Sequence, residues 1–242
     1  MSEDKILVFN ISGKFAHFRK FYTNSSSLTY IIPPRTVVMG ILGSILEKSR
    51  DEYYTLFSPD KCKLSVSLKS KVKKHFESLN YLHKNAHTQI PLELLVPLNK
   101  NDSLRYNIYV YHKNNHIIEE LKTRIENNIT GYGIYLGQRQ FRAYFDGLVL
   151  LSDYEYISGP INSEITTVTW ADNIELDFKQ PFELERFKIL SNYKKINSGR
   201  EPDNMIEIIY PVKNSTSGKF KEIIKLKYNN EMISFFTPFK DV

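Results

Sequence analysis

LRYNIYVYHKNNHIIEELKTRI, residues 104–125, changes its hydrophobic period part-way along, and that change decides the fold. In its first half Leu104, Tyr106, Ile108 and Val110 alternate with Arg105, Asn107, Tyr109 and Tyr111, the two-residue repeat of a strand. Asn114 and Asn115 then offer a helix cap, and Ile117, Ile118, Leu121 and Ile125 recur at helical spacing on one side. Upstream, Ile6-Leu7-Val8-Phe9 is a continuous apolar run ended by Ser12-Gly13, which reads as a buried strand. Pro33-Pro34 opens a helix, since proline suits the first helical turn, and Val38, Ile41, Leu42, Ile45 and Leu46 form its inner face. Leu64, Val66 and Leu68 alternate with Ser65, Ser67 and Lys69 as a third strand, and a last strand is expected from about Ala143 to Leu151. The order is strand, helix, strand, strand, helix, strand. That is an α+β, ferredoxin-like (RRM-like) βαββαβ pattern.

Two further features shape the chain. Roughly thirty residues, 72–103, separate the two middle strands, where a hairpin needs only a few, so a projecting hairpin or mobile loop is expected there. This insertion carries Lys73, Lys74, His75, His83, Lys84 and His87. Beyond residue 155 the sequence breaks into short β-like runs (165–170, 174–178, 205–210, 223–228 and 232–236) between polar turns. Residues 1–155 are therefore expected to form the ferredoxin-like domain and 156–242 a smaller β-rich C-terminal unit without a long helix. Gly40 and Gly43 cost helix propensity and point to a close approach on that helix.

Composition narrows the function classes. One cysteine, Cys62, allows no internal disulfide and no zinc motif. The acidic N-terminus does not read as a signal peptide, no run is long enough to span a membrane, and a cytoplasmic protein is expected. Residues 1–155 hold 21 Lys and Arg against 15 Asp and Glu, whereas 156–242 hold 12 of each. The excess positive charge thus lies in the first two-thirds, as in a protein that faces a polyanion there.

Aromatic and basic residues interleave in KFAHFRKFYTNSSSLTY, residues 14–30. Bases stack on aromatics and phosphates pair with cations, so His17, Arg19, Lys20, Tyr22 and Tyr30 are candidate RNA contacts, with Phe15 and Phe18 as core plugs. Arg35, just inside a helix N-terminus, can combine its guanidinium with free N–H groups around a phosphate. Lys63, Lys69, Lys71, Lys73 and Lys74 form a stripe without an intervening acid, also read as nucleic-acid contacts. His83 and His87 have the spacing of a helical metal pair but lack an HExxH pattern, so no metal is expected. No cofactor is expected either, because the chain has no P-loop, no GxSxG and no nucleotide-binding glycine fingerprint. His112-Lys113 at a strand end are the residues best suited to metal-independent acid–base cleavage of RNA.

Phe9-Asn-Ile-Ser-Gly-Lys-Phe-Ala-His-Phe-Arg-Lys20, Leu28-Thr-Tyr30, Ile32-Pro-Pro-Arg-Thr36 and Gly40-Ile-Leu-Gly43 together resemble the fifth CRISPR-associated (Cas) protein family, its type I-B branch above all. His87-Thr-Gln-Ile-Pro91 and Tyr135-Leu-Gly137 follow in the same order, and the resemblance covers about residues 5–150. It implies a RAMP-type ferredoxin-like subunit of Cascade that caps the 5′ handle of crRNA. Such a subunit sits beside the terminal backbone subunit, touches the large subunit, and meets target DNA only indirectly. It also implies that the 72–103 insertion is a thumb-like hairpin. A type I-C branch is itself a metal-independent endoribonuclease that processes CRISPR repeat RNA with a tyrosine, a lysine and a histidine. Carried to this chain, those roles fall on Tyr30, Lys113 and His112, but here histidine precedes lysine. That departure implies a subunit that binds RNA without cleaving it.

Overall fold

The computed structural model describes residues 4–23, 26–83, 86–176, 183–197, 199–212 and 215–240, and only the backbone of 81–83 and 86–87. Lys84 and the side chains of His83 and His87 therefore lie outside the described residues.

Strand β1 (Ile6–Gly13) leads into a loop pinned by the short pair β2 (Phe18–Arg19) and β3 (Thr29–Tyr30). Helix α1 (Arg35–Ile45) follows with Pro34 as its N-cap residue, then a single turn, α2 (Tyr53–Leu56), and strand β4 (Cys62–Leu68). The insertion is a hairpin of two twelve-residue strands, β5 (Val72–His83) and β6 (Ala86–Pro97). His83 and His87 thus sit on strands rather than on a helix. Strand β7 (Leu104–His112) and helix α3 (Asn115–Glu126) come next, and Asn114 caps α3 by accepting from the His116 N–H at 3.0 Å. Strand β8 (Tyr144–Ser152) completes the first sheet.

That sheet runs β4-β7-β1-β8 with every neighbour antiparallel. Counting only its own strands, the order is two, three, one, four, the arrangement of a ferredoxin-like βαββαβ unit. The sheet is covered on both sides. Leu7, Phe9 and Ile11 face α1 and α3 within the main core, while Ile6, Val8 and Tyr109 face the other way into a second cluster. The continuous apolar run of β1 has this as its physical reason: neither face meets water.

The C-terminal stretch supplies the second cover. It holds β9 (Tyr154–Ile165), β10 (Thr169–Trp170), a 3-10 turn at Ala171–Asn173, β11 (Ile174–Leu176), β12 (Leu184–Ile196), β13 (Gly199–Pro211), β14 (Thr216–Leu226) and β15 (Met232–Ile233). Strands β9 and β14 form a long antiparallel pair, and β11 and β15 flank β14. Ile224 and Leu226 of β14, with Ile233 and Phe235, close over Val8 and Tyr109. Strands β12 and β13 form a second long hairpin turned at Gly199, and β12 packs on α1 and α2. Ile189, Ile208, Tyr210 and Phe236 belong to the same core cluster as Leu7 and Phe9, so the two stretches share one interior.

The strands after residue 155 are longer than their apolar runs suggest. Strand β12 has no such run, because its buried positions include the polar residues Ser191 and Asn192. Gly43 is needed for packing: a Cβ there would lie 2.6 Å from the Tyr53 ring. The close approach on α1 is thus made by α2. Among the described residues no helix is long and apolar enough to cross a membrane.

Candidate nucleic-acid interface

The loop between β1 and α1 is irregular but tightly tied. Ala16 and Leu95 exchange backbone hydrogen bonds at 3.1 and 2.9 Å, and Ser27 N–H donates to the Pro91 carbonyl at 3.0 Å, which stitches the loop to the base of the β5–β6 hairpin. Phe18 is buried edge-on against Tyr106, 5.9 Å between centroids, and its N–H donates to Thr29 Oγ1 at 2.8 Å. Phe15 is instead 46% exposed and touches Phe141, so only one of the two phenylalanines serves as a core plug.

Three of the residues read as RNA contacts are interior. His17 is buried, with Nδ1 donating to the Glu93 carbonyl at 2.7 Å and Nε2 accepting from Ser27 Oγ at 2.9 Å. Burial holds the imidazole below its ordinary value, which favours the neutral ring. Tyr30 stacks on Phe187 at 4.7 Å and its hydroxyl donates to the Lys188 carbonyl at 2.9 Å, while burial pushes the phenol up to about 12. Arg35 is fully buried. Its guanidinium donates to the carbonyls of Ser191 at 2.6 Å, Phe57 at 2.6 Å and Cys62 at 3.0 Å, and burial lowers it to about 10. It joins α1 to the α2–β4 turn and to β12 rather than meeting a phosphate.

The lysine stripe is divided. Lys63 is buried, Lys69 pairs with Glu231 at 3.1 Å, and Lys74 lies between Glu93 at 3.8 Å and Glu185 at 3.7 Å. Lys71 and Lys73 stay exposed, with no carboxylate engaged among the described residues. His112 is also interior: Nε2 donates to the Leu56 carbonyl at 2.9 Å and Nδ1 accepts from Asn114 N–H at 2.9 Å. Burial depresses its basicity, and both ring nitrogens are occupied. Lys113 is exposed beside it, while Tyr30 packs against Phe187 and His112 against Phe57.

What the fold does bring together is a groove of about 330 Å³ along the loop, lined by Arg19, Phe21, Thr36, Gly137, Gln138 and Tyr193. Arg19 is exposed, and its Nη2 donates to the Thr23 carbonyl at 3.1 Å. Lys20 Nζ lies 5.7 Å from the Tyr30 ring and 6.0 Å from the Tyr22 ring. Phe21 and Tyr22, 52% and 54% exposed, meet edge to face at 5.3 Å. The N-terminal turn of α1 forms one wall, where a helix favours negative charge. Cations, two bare aromatic rings and a helix N-terminus can bind the backbone and bases of a single strand. Phe21, Gln138 and Tyr193 were not legible as lining residues. Phe21 alone carried a signal, its place between Lys20 and Tyr22.

No family model and no curated protein matches the chain. A solved structure does: a CRISPR protein from Archaeoglobus fulgidus superposes with a TM-score of 0.59 over 94% of this chain and 98% of that one, at 13% identity. The fold is that of a CRISPR protein. At this identity the match shows shared architecture, from the central sheet through the C-terminal strands. Fainter likenesses link the chain to a chain of a CRISPR RNA-guided surveillance complex (TM-score 0.48, 11% identity, 88% and 91% covered). Another is to a chain of a type III-B Cmr-beta complex bound to cognate target RNA and AMPPnP (TM-score 0.44, 11% identity, 88% and 86% covered).

Proposed function

We propose that this chain is a non-catalytic RNA-binding subunit of a CRISPR effector complex, of the fifth Cas family and type I-B. It caps the 5′ handle of crRNA in a cytoplasmic Cascade beside the backbone and large subunits. The observation that carries this reading is the groove. Arg19 and Phe21 from the first loop, Thr36 from α1 and Gly137-Gln138 from the segment after α3 line one channel. Three stretches of the family resemblance thereby converge at one place. In such complexes base pairing reads sequence while protein subunits hold the backbone and its shape. Buried, doubly bonded His112 speaks against a cleavage role, because a general base needs a free nitrogen within reach of the proton it takes.

Binding of labelled 5′-handle RNA tests the reading. Arg19→Ala with Lys20→Ala is expected to weaken binding and to flatten its salt dependence by about 0.7 for each phosphate no longer neutralised. Phe21→Ala with Tyr22→Ala should cost about 1–3 kcal/mol for each stacked base. Handle binding unchanged in both variants would defeat the assignment. Clean cleavage of repeat RNA in EDTA, abolished by His112→Ala, would replace binding by catalysis.

A further inference from the structure

The sheet face that a bare four-stranded domain offers to bases is occupied in this fold. Val8 and Tyr109 lie beneath Ile224, Leu226, Ile233 and Phe235, and Tyr111 packs on Phe239 at 4.8 Å. Stacking must occur elsewhere, and the segment between α3 and β8 has the chemistry for it. From Asn127 to Phe145 there is no acidic residue, while Arg139 and Arg142 are both exposed and engage no carboxylate among the described residues.

The segment is a small two-stranded ribbon. Ala143 N–H donates to the Ile134 carbonyl at 3.0 Å, Leu136 N–H to the Phe141 carbonyl at 2.8 Å, and Tyr135 bridges Arg142. Ile134, Leu136 and Ala143 are buried and anchor it. Side chains alternate along an extended strand, so Tyr135, Arg142 and Tyr144 share the opposite side. Tyr135 is 42% and Tyr144 62% exposed, although a tyrosine ring is the kind of surface a chain ordinarily covers. The ribbon also adjoins the groove. His17 N–H donates to the Leu136 carbonyl at 3.0 Å, and Gly137, at a φ of +92°, lies so close that a Cβ would be 1.9 Å from the His17 carbonyl oxygen.

We propose that this ribbon is a base-stacking platform for single-stranded RNA that continues the groove beyond Gly137. Tyr135 and Tyr144 stack on unpaired bases, and Arg142 between them takes a phosphate. Exposed arginines beside exposed tyrosines suit a single-stranded nucleic acid, and Asp146, the next residue on that side, is already paired with Arg105. Because every base has a π-face, the platform is expected to accept any sequence. Its role presupposes the RNA-binding function proposed above.

The probe is handle RNA carrying 2-aminopurine at successive positions, whose fluorescence falls on stacking. The wild-type protein should quench one or two neighbouring positions. Tyr135→Ala with Tyr144→Ala should remove that quenching and weaken binding about tenfold at an unchanged salt slope, while the two Phe replacements restore both. Arg142→Ala should keep the quenching and lower the salt slope by about 0.7. Wild-type quenching and affinity in the double Ala variant overturn the platform, and if the Arg19 and Lys20 variant still binds poorly, the groove reading survives. Intact RNA binding with failed attachment of other effector subunits also overturns it, in favour of a protein interface. RNA binding absent from the wild-type protein sinks both readings.

Discussion

Arg35 is the residue whose surroundings most change its meaning. A guanidinium in no ion pair among the described residues, fully buried and bonded to three backbone carbonyls, is a cross-link between elements. Replacing it with Met leaves the carbonyls of Ser191, Phe57 and Cys62 unpaired, and the loss of stability should reach roughly 3 kcal/mol or more. Chemical denaturation checks that figure, and handle affinity per folded molecule should stay unchanged. His17 and His112 make a second prediction at this scale. Burial holds both below the ordinary 6.5. The unfolded chain therefore binds protons first. Their contribution to stability is complete above about 6.5 and is lost as pH falls through that value towards the lower folded-state values. Thermal melts should show Tm falling between neutral pH and about pH 5, and His17→Gln should make the fall shallower. In an irregular loop no alternation says which way a ring points, so His17 and Tyr30 read in the sequence just as Tyr22 does. Only the fold separates them.

At the scale of elements, alternation made the central sheet legible, because β4 and β7 send their aliphatic residues to one face and mostly polar or aromatic ones to the other, while β1 is apolar on both. Strand β12 was not legible, since Ser191 and Asn192 lie inside it and its apolar residues do not form a run. The insertion was legible by length alone. Its structure adds that, among the described residues, the hairpin is tied down near its base, by Pro91 to Leu95 against the first loop and by Lys74 against Glu185. Joining Ser78 to Pro91 through a two-residue turn should therefore leave Tm almost unchanged, and a large drop would show that the outer hairpin supports the core. In contrast, Gly43→Ala drives a Cβ into the Tyr53 ring and should cost about 1–3 kcal/mol. Its equilibrium unfolding, compared with that of Gly40→Ala, isolates the effect of the ring, since a Cβ at Gly40 meets nothing closer than 3.5 Å.

For the whole molecule, the C-terminal strands are part of the interior rather than an appendage. Ending the chain at Asp153 would expose Val8 and Tyr109 on one side of the sheet and remove Ile189, Ile208, Tyr210 and Phe236 from the other. Such a fragment should lose near-ultraviolet circular dichroism and bind hydrophobic dyes while retaining far-ultraviolet signal. A fragment with sharp cooperative melting would contradict the shared core.

The roofed sheet also bears on how such a protein can change. Burial on both faces governs the central strands, whereas the groove residues Arg19, Phe21 and Gln138 lie outside that sheet. Substitutions at those rim positions should leave every register of the central sheet unchanged. An architecture shared over 94% of the chain at 13% identity is what such a separation of core from rim permits.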